Sequence, residues 1–574
     1  MREIDRLTTE RYGTPSLTLM EAAATATARA VTEHLGGKTA GAGILVLCGR
    51  GNNGGDGAAT ARLLAIAGAK VDVVLIGKLE NTKADARTNF ERLTNWNTER
   101  AVREDLGAAP ADFGIVNFYQ CDSDKGWDQL STGLLSVPHE VTIDALFGTG
   151  LTRPVEGILL EAIRYVRKLT EIRNSNDGPP SLIVSIDVPS GLNSDSNEIF
   201  GEAIRADMTV TFTAPKPANV LPPAANYSGR LIVADIGSPA ELTEQADSQL
   251  FLSDAEDARR WLMQTRYTPD SYKNTHGHAL VIAGSRGFTG AAALCGNAAM
   301  RAGAGLVTVA TPASSQSLVA VQVMPEIMTA ELAETDRGAV SDDAIAYVVR
   351  LADRADVIAV GPGLSSSDER TRSFVRALVE QRRTPLVIDA DGLNCLAPWP
   401  ADVCGSADYP IVITPHPGEM LRLMGSDDKT SLDDRVAAAR AFATAHKVIL
   451  LLKGPRALVA SPDGRVFVNS TGNAGVGTAG AGDTLTGIIA GFIAQACGTL
   501  KLEADVLQAV IAVLYISGLA SEFAASQLGM RTMVASDIRE HLSAAICSLD
   551  PRGERGSAQK VTGRLEADHR ERLR

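Results

Sequence analysis

Two aspartates sit in glycine-rich surroundings, where backbone amides and a carboxylate can meet a ligand's phosphate and hydroxyl groups. Asp56 closes the run Cys48-Gly49-Arg50-Gly51-Asn52-Asn53-Gly54-Gly55-Asp56-Gly57, and Asp483 lies in Gly477-Thr478-Ala479-Gly480-Ala481-Gly482-Asp483-Thr484. Glycine without a Cβ lets the backbone approach a ligand, and amides at a following helix start can hold phosphate oxygens. One such loop is a weak signal. Two different ones, each with an aspartate, point to two nucleotide-handling sites in one polypeptide.

The second run has partners of matching chemistry in Gly361-Pro362-Gly363-Leu364, Asp389-Ala390-Asp391-Gly392-Leu393-Asn394, Thr414-Pro415-His416-Pro417-Gly418-Glu419 and Leu452-Lys453-Gly454-Pro455-Arg456. Amides of the Gly480–Asp483 segment would stabilise charge on a transferring phosphoryl group, with Asp483 placed to take a hydroxyl proton. Plainer readings stand beside this one. His416, between prolines, reads equally as a satisfied loop histidine, and Asp389 and Asp391 as helix caps.

Around the first run, Asn52, Asn53 and Asp56 offer oxygens that suit a weakly held monovalent cation as well as ligand hydroxyls. Asp144-Ala145-Leu146-Phe147-Gly148-Thr149-Gly150-Leu151-Thr152-Arg153-Pro154 and Asp187-Val188-Pro189-Ser190-Gly191-Leu192 supply further strand-end carboxylates. Asp144 or Asp187 alone reads as a structural cap; three such strand ends together suggest a crevice.

These segments need a scaffold that gathers strand ends. The first half alternates apolar strands (44–47, 71–76, 141–144, 182–187) with helical stretches, after a helix-like leader at 16–35. The second half restarts at 279–283 and continues through 306–309, 357–360, 386–389, 411–414 and 448–452, closing on Ala-rich helices at about 480–497 and 503–524. Near-continuous β-branched runs separated by helices indicate parallel sheets covered on both faces, where ligands gather outside the carboxyl ends of the strands. Segments at 95–140 and 168–180 look inserted.

At 574 residues the chain is long for one core, so two domains are expected. A formal net charge of −13 argues against nucleic acid as the main partner. Seven scattered cysteines without a CxxC pair, and no recognisable signal peptide, suggest a reduced, cytoplasmic setting. No run is judged apolar enough to span a bilayer. His276 and His278 would share one face of a strand, but nothing nearby completes a zinc site.

From about Tyr272 to Ile546, the motifs quoted above, with Gly284-Ser285-Arg286-Gly287-Phe288-Thr289-Gly290-Ala291 and Arg301-Ala302-Gly303-Ala304-Gly305-Leu306-Val307, resemble the ADP-dependent NAD(P)H-hydrate dehydratases of ribokinase-like fold. The resemblance implies that Lys453, Gly454, Pro455, Arg456 and Ala457 cradle ADP and that Gly482 contacts its phosphate. It implies that Ala291, Gly363, His416 and Asp483 hold the hydrated nicotinamide nucleotide. The implied chemistry is phosphorylation of the C6 hydroxyl and then loss of phosphate, with Asp483 as proton acceptor and magnesium on the ADP phosphates.

Residues 1–240, with Thr213-Ala214-Pro215-Lys216-Pro217, resemble the NAD(P)H-hydrate epimerases. That likeness implies a Rossmann-like three-layer α/β sandwich, potassium on Asn53, Asp144 and Ser190, and hydrate contacts from Asn52, Asn53, Gly54, Gly55 and Asp56. It also implies contacts from Gly148, Thr149, Gly150, Leu151, Thr152, Arg153, Pro154 and Asp187, the last handling a proton. The expected organisation is an epimerase domain at 1–240, a linker at 241–271, a dehydratase domain at 272–550 and a disordered charged tail at 551–574. Together the halves resemble a bifunctional metabolite-repair enzyme acting on NADH and NADPH hydrates, with no membrane partner, as a homo-oligomer. Two rivals remain open: a ribokinase-type small-molecule kinase, and an N-terminal half that only binds nucleotides.

Overall fold

A computed structural model describes residues 1–82, 84–98, 113–174 and 181–550; the tail expected to be disordered lies outside them. The chain divides between Asp247 and Ser248 into two compact units.

The described residues of the first unit contribute strands β1 (Gly43–Cys48), β2 (Lys70–Ile76), β3 (Val116–Cys121), β4 (Val141–Ala145), β5 (Leu182–Ile186), β6 (Met208–Phe212) and β7 (Arg230–Ala234). They form one parallel sheet in the order β3-β2-β1-β4-β5-β6-β7. Alternate residues of each strand serve opposite faces. Ile44, Val46, Val71 and Val73 join a core with Leu19, Ala58, Leu64 and Phe90, from the helices Ser16–His34, Asn52–Ile66 and Ala84–Thr94. Leu45, Leu47 and Val74 pack instead with Trp127 and Ile163, from the helices Asp124–Thr132 and Ile158–Asn174. This is the expected three-layer sandwich. An additional helix, Arg2–Tyr12, precedes the expected leader. The segment 95–140 holds a strand of the sheet and one of its covering helices, although residues 99–112 and 175–180 lie outside the described residues.

The second unit adds β8 (Leu250–Ser253), β9 (His278–Ile282), β10 (Leu306–Pro312), β11 (Met328–Leu332), β12 (Val357–Val360), β13 (Leu386–Ile388), β14 (Ile411–Ile413), β15 (Ile449–Leu452), β16 (Leu458–Ala460) and β17 (Val466–Asn469). Their order is β11-β10-β9-β12-β13-β14-β15-β16-β17-β8. Pairing is parallel from β11 to β15, antiparallel on both sides of β16, and parallel again between β17 and β8.

The expected linker at 241–271 is largely structured. Helix Ala240–Glu244 belongs to the first unit, while β8 lengthens the second sheet and the helix Ala255–Gln264 packs on the second core. Asp254 caps that helix by accepting from the Glu256 and Asp257 amides. Trp261 then stacks on Phe492 with ring centroids 4.0 Å apart. The polar composition that suggested a linker is the solvent side of an amphipathic helix whose buried stripe is Ala258 and Trp261.

The helices Ala481–Leu500 and Val506–Leu528 are long and apolar enough to cross a membrane, contrary to expectation, yet 67% of each apolar window is buried inside the protein. Their small residues explain how they pack. A Cβ on Gly487 would lie 2.1 Å from the Cys295 carbonyl oxygen, so Ala481–Leu500 meets the helix Thr289–Arg301 backbone to backbone.

Each sheet has a point where the strand order reverses, between β1 and β4 in the first and between β9 and β12 in the second. Loops leaving neighbouring strands diverge there and open a crevice.

Candidate functional site

In the first unit, the crevice is a cavity of about 680 Å³ lined by Gly49–Asn53, Asp56, Leu146–Gly150, Asp187 and Lys216, among others. Asn52, Asn53, Gly54, Gly55 and Asp56 are on the first turns of the helix Asn52–Ile66, not in a loop. Gly51 precedes it without a side-chain cap, which leaves the first-turn amides for a ligand. Gly54 is forced by packing: a Cβ there would lie 1.8 Å from the Gly49 carbonyl oxygen. Gly148, Thr149 and Gly150 line the cavity; Leu151 is buried, and Thr152, Arg153 and Pro154 are exposed and take no part in the lining.

Asp187 leaves β5 with φ 68°, a conformation rare outside glycine. Its Oδ1 lies 2.5 Å from Lys216 Nζ and accepts from Thr211 Oγ1 at 3.1 Å, while Asn219 Nδ2 donates to its carbonyl at 3.2 Å. Lys216 is 4% exposed and also donates to Thr211 Oγ1 and the Phe212 carbonyl. Asp56 accepts no side-chain hydrogen bond among the described residues, and burial, with the nearby charges of Asp187 and Asp5, pushes its carboxyl well above the usual range. Asp5, from the helix Arg2–Tyr12, lines the same cavity and is raised by burial too.

Asp144 is fully buried at the end of β4. Its Oδ1 accepts from Ser190 Oγ at 2.6 Å and Leu146 N at 3.3 Å, its Oδ2 from Ser185 Oγ at 2.8 Å and Ser190 N at 2.9 Å. Burial raises its carboxyl despite these bonds. Asn53 is beside the cavity, where a Cβ on Gly148 would meet its Oδ1 at 3.1 Å and Asp187 Oδ2 at 2.9 Å.

In the second unit, Gly480 with φ 83° precedes the helix Ala481–Leu500, so Gly482 and Asp483 occupy its first turn. The Asp483 carboxyl is pushed up to about 6, first by burial and then by the charge of Asp389, with Lys453 acting the other way. Asp389, 1% exposed, accepts from Lys453 Nζ at 2.7 Å and from Thr486 Oγ1 at 2.7 Å. Burial alone would raise its carboxyl; the charge and hydrogen bond of Lys453, with help from Thr486 and Thr414, hold it below the usual range. Glu419 Oε2 is 3.8 Å from the same ammonium. A Cβ on Gly482 would find Lys453 Nζ at 3.4 Å and Asp389 Oδ2 at 3.5 Å, so these side chains surround the helix start.

Lys453 therefore points at the Asp483 centre, while its backbone begins the segment 453–457. Arg435, which sequence alone did not single out, clamps that segment through the carbonyls of Leu452, Lys453 and Pro455. Arg456, with φ 49°, donates to the Ser470 carbonyl at 2.5 Å. Gly363, φ 64°, lies against Ala291, whose Cβ would be 3.0 Å from an added Cβ. His416 caps the helix Pro417–Met424: its Nδ1 accepts from the Gly418 and Glu419 amides at 3.0 and 3.3 Å, and its own amide donates to Glu419 Oε2 at 2.8 Å. Its ring is still 51% exposed, with Nε2 3.5 Å from Glu419 Oε1.

Neither Asp389 nor Asp391 is a helix cap. Asp391 accepts from Ser365 N and Ser366 Oγ, both at 2.9 Å, and from Asn394 Nδ2 at 3.3 Å. His276 is buried and stacks on Tyr267; the ring of His278 bonds the Arg354 carbonyl and Thr308. Among the described residues no group of three or more His, Cys, Asp or Glu forms a metal cluster. Sequence reasoning also missed Asp5 and gave Lys216 no role, although Lys216 stands inside a quoted motif; Asp5 offered no signal, because only the folded helix carries it to the cavity.

Comparisons with known proteins agree with this division. Residues 279–544 match the family described as NAD(P)H-hydrate dehydratase, and residues 16–218 match the YjeF-related protein N-terminus. A bifunctional NAD(P)H-hydrate repair enzyme from Moorella thermoacetica is 38% identical over 550 residues, covering 96% of each chain. One from Thermofilum pendens is 34% identical, covering 95% of each. A solved ADP/ATP-dependent NAD(P)H-hydrate dehydratase from Bacillus subtilis is 27% identical, covering 52% of this chain and 99% of its own, with a TM-score of 0.44.

Proposed function

We infer the reaction from one premise: the chain belongs to the family of bifunctional NAD(P)H-hydrate repair enzymes. It epimerises the hydrated nicotinamide cofactor in its first unit and dehydrates it in its second. The observation that carries the second step is Asp483 on a helix start ringed by Lys453 and Asp389. In our reading, ADP lies along Lys453–Ala457 with a phosphate on the Gly482 amide, and the hydrate lies against Ala291, Gly363 and His416. Asp483, with its carboxyl at about 6, is mostly ionised at neutral pH yet basic enough to take the C6 hydroxyl proton as that oxygen attacks the β-phosphorus of ADP. AMP leaves, and the C6–O bond of the phosphorylated hydrate then breaks as a proton is lost from the neighbouring ring carbon, releasing inorganic phosphate and NADH or NADPH. Lys453 offsets charge on the transferring group, and Asp389 fixes the ammonium in place. Magnesium would come with the ADP phosphates.

In the first unit, the cavity takes the hydrate with its phosphates toward the Asn52–Gly54 amides, and Asp187 handles the proton. Lys216 holds that carboxylate in a buried ion pair. The oxygens of Asn53, Asp144 and Ser190 fit potassium by type: one carboxylate, one hydroxyl, one amide. The raised carboxyl of buried Asp144 is the group a cation would relieve. Such an ion would fix the strand-end loops. A cytoplasmic homo-oligomer belongs to the same reading, and sedimentation of the purified protein tests the assembly.

The test is S-NADPH hydrate plus ADP, followed by the return of reduced-nicotinamide absorbance. No return, with phosphate moving from ATP to a simple alcohol instead, would sink the reading in favour of a small-molecule kinase.

A further inference from the structure

A second cavity, of about 530 Å³, opens in the second unit between Ser366, Arg372, Asn394, Pro398, Arg422 and Asp427. Arg372 spends its Nε on the Ser366 carbonyl at 2.9 Å, and Arg422 its Nε on Asn394 Oδ1 at 3.0 Å. No carboxylate among the described residues pairs with either guanidinium. Two oriented, unneutralised guanidinium groups facing one cavity make an anion subsite, since the free Nη edges match phosphate oxygens.

The cavity is tied to the reaction centre. Ser366 and Asn394, which hold the arginines, both donate to Asp391, and Asp391 contributes to raising the Asp483 carboxyl. Arg422 is on the helix that His416 caps, with its Nη1 3.9 Å from where a Gly418 Cβ would be. A ligand whose hydrated ring sits at Asp483 and His416 would therefore extend past Asp391 into this cavity.

We propose that Arg372 and Arg422 bind a phosphate of the hydrated dinucleotide, away from its reacting ring. The inference rests on the reading of the second unit as the dehydratase. The phosphate is either the pyrophosphate common to both hydrates or the 2′-phosphate that only the NADPH form carries. Asp427, on the cavity wall, disfavours an anion directly beside it.

Steady-state dehydration of S-NADH hydrate and S-NADPH hydrate at saturating ADP tests this with Arg372→Gln, Arg422→Gln and the conservative Arg422→Lys. The glutamine variants are expected to raise KM tenfold or more with kcat within twofold, and Arg422→Lys to recover part of the loss. A rise for the NADPH form alone assigns the 2′-phosphate; a rise for both assigns the pyrophosphate. Unchanged KM for both substrates overturns the proposal, as does a fall in kcat alone. Equilibrium titration with NADPH and NADH, the products, reads the same subsite without turnover. A wild type that binds NADPH through these arginines but never dehydrates would overturn the assigned reaction and keep the subsite.

Discussion

The two helix starts proposed to face ligands differ in why they contain glycine. At Asn52–Ile66, a Cβ on Gly54 would collide with the Gly49 carbonyl at 1.8 Å, so the fold itself demands the residue. At Ala481–Leu500, a Cβ on Gly482 would meet nothing nearer than 3.4 Å, an ordinary contact. The protein alone does not need glycine there; the phosphate proposed to lie on its amide would. Charge differs in the same sense. Asp187 is locked to Lys216 at 2.5 Å, whereas Asp483 has no direct partner among the described residues and is raised to about 6 by burial and Asp389. A locked carboxylate suits a site that binds and shuttles a proton; an unlocked, raised one suits a base that must give its charge to the reaction.

The contrast breaks most sharply at the aspartates. Asp483→Asn should lower dehydration by about 10²–10⁴-fold while R and S hydrates still equilibrate, as chromatography of the two epimers would show. Asp187→Asn should lower epimerisation by about a hundredfold and leave S-hydrate dehydration intact. It also leaves Lys216 buried without its counter-charge, so the first unit should melt earlier in calorimetry. Survival of fast R-hydrate repair would make that unit a binding module.

Acidity should separate the units next. Asp483 must be ionised to accept a proton, so dehydration should fall about tenfold per unit below a pH of about 6. Stability runs the other way for this group. Its folded pKa is raised above the unfolded value, so the folded state binds the extra proton between about 4 and 6, and the cost of holding the charge is relieved as pH falls through that window. A dehydration profile flat to pH 5 would remove Asp483 as the base.

Smaller effects refine the glycine contrast. Gly54→Ala should destabilise the first unit by about 1–3 kcal/mol or more in denaturant titration, and Gly482→Ala should leave stability unchanged and raise the KM for ADP. Smallest is His416→Ala, which removes a cap worth about 1 kcal/mol. His416→Asn should restore the cap; if dehydration kinetics recover with it, the ring is only structural.

Sequence made the sheets legible where strands are buried on both faces, as in Ile44–Leu47 and Val357–Val360, because continuous β-branched runs have few other uses. It missed β3, whose Asn117 and Gln120 face outward, β6, whose threonines interrupt the apolar run although all five residues are buried, and β8, whose four residues pair only with a strand far along the chain; β7, β11, β16 and β17 were missed too. In the sites, glycine and aspartate motifs stood out because their neighbours in sequence are their neighbours in space. Asp5, Arg435 and the second cavity's arginines did not, because each reaches its site from a separate element. The polar run at 241–271 misled for a related reason: a helix with one buried tryptophan reads as solvated chain until its partner, Phe492, is known.

The helix that carries Asp483 has a further consequence. Thirteen of its residues, from Thr484 to Gly498, are buried, and Gly487, Gly491 and Gly498 are jammed against neighbouring backbone. Elements of this kind open only when the whole core does. Amide hydrogens along it should therefore exchange among the slowest in the unit, and a protease should find its Asp483 end resistant while surface segments are cut. The proposed base is anchored to the last part of the unit to come apart, so whatever must move to admit ADP and release AMP has to be the segments facing that helix start.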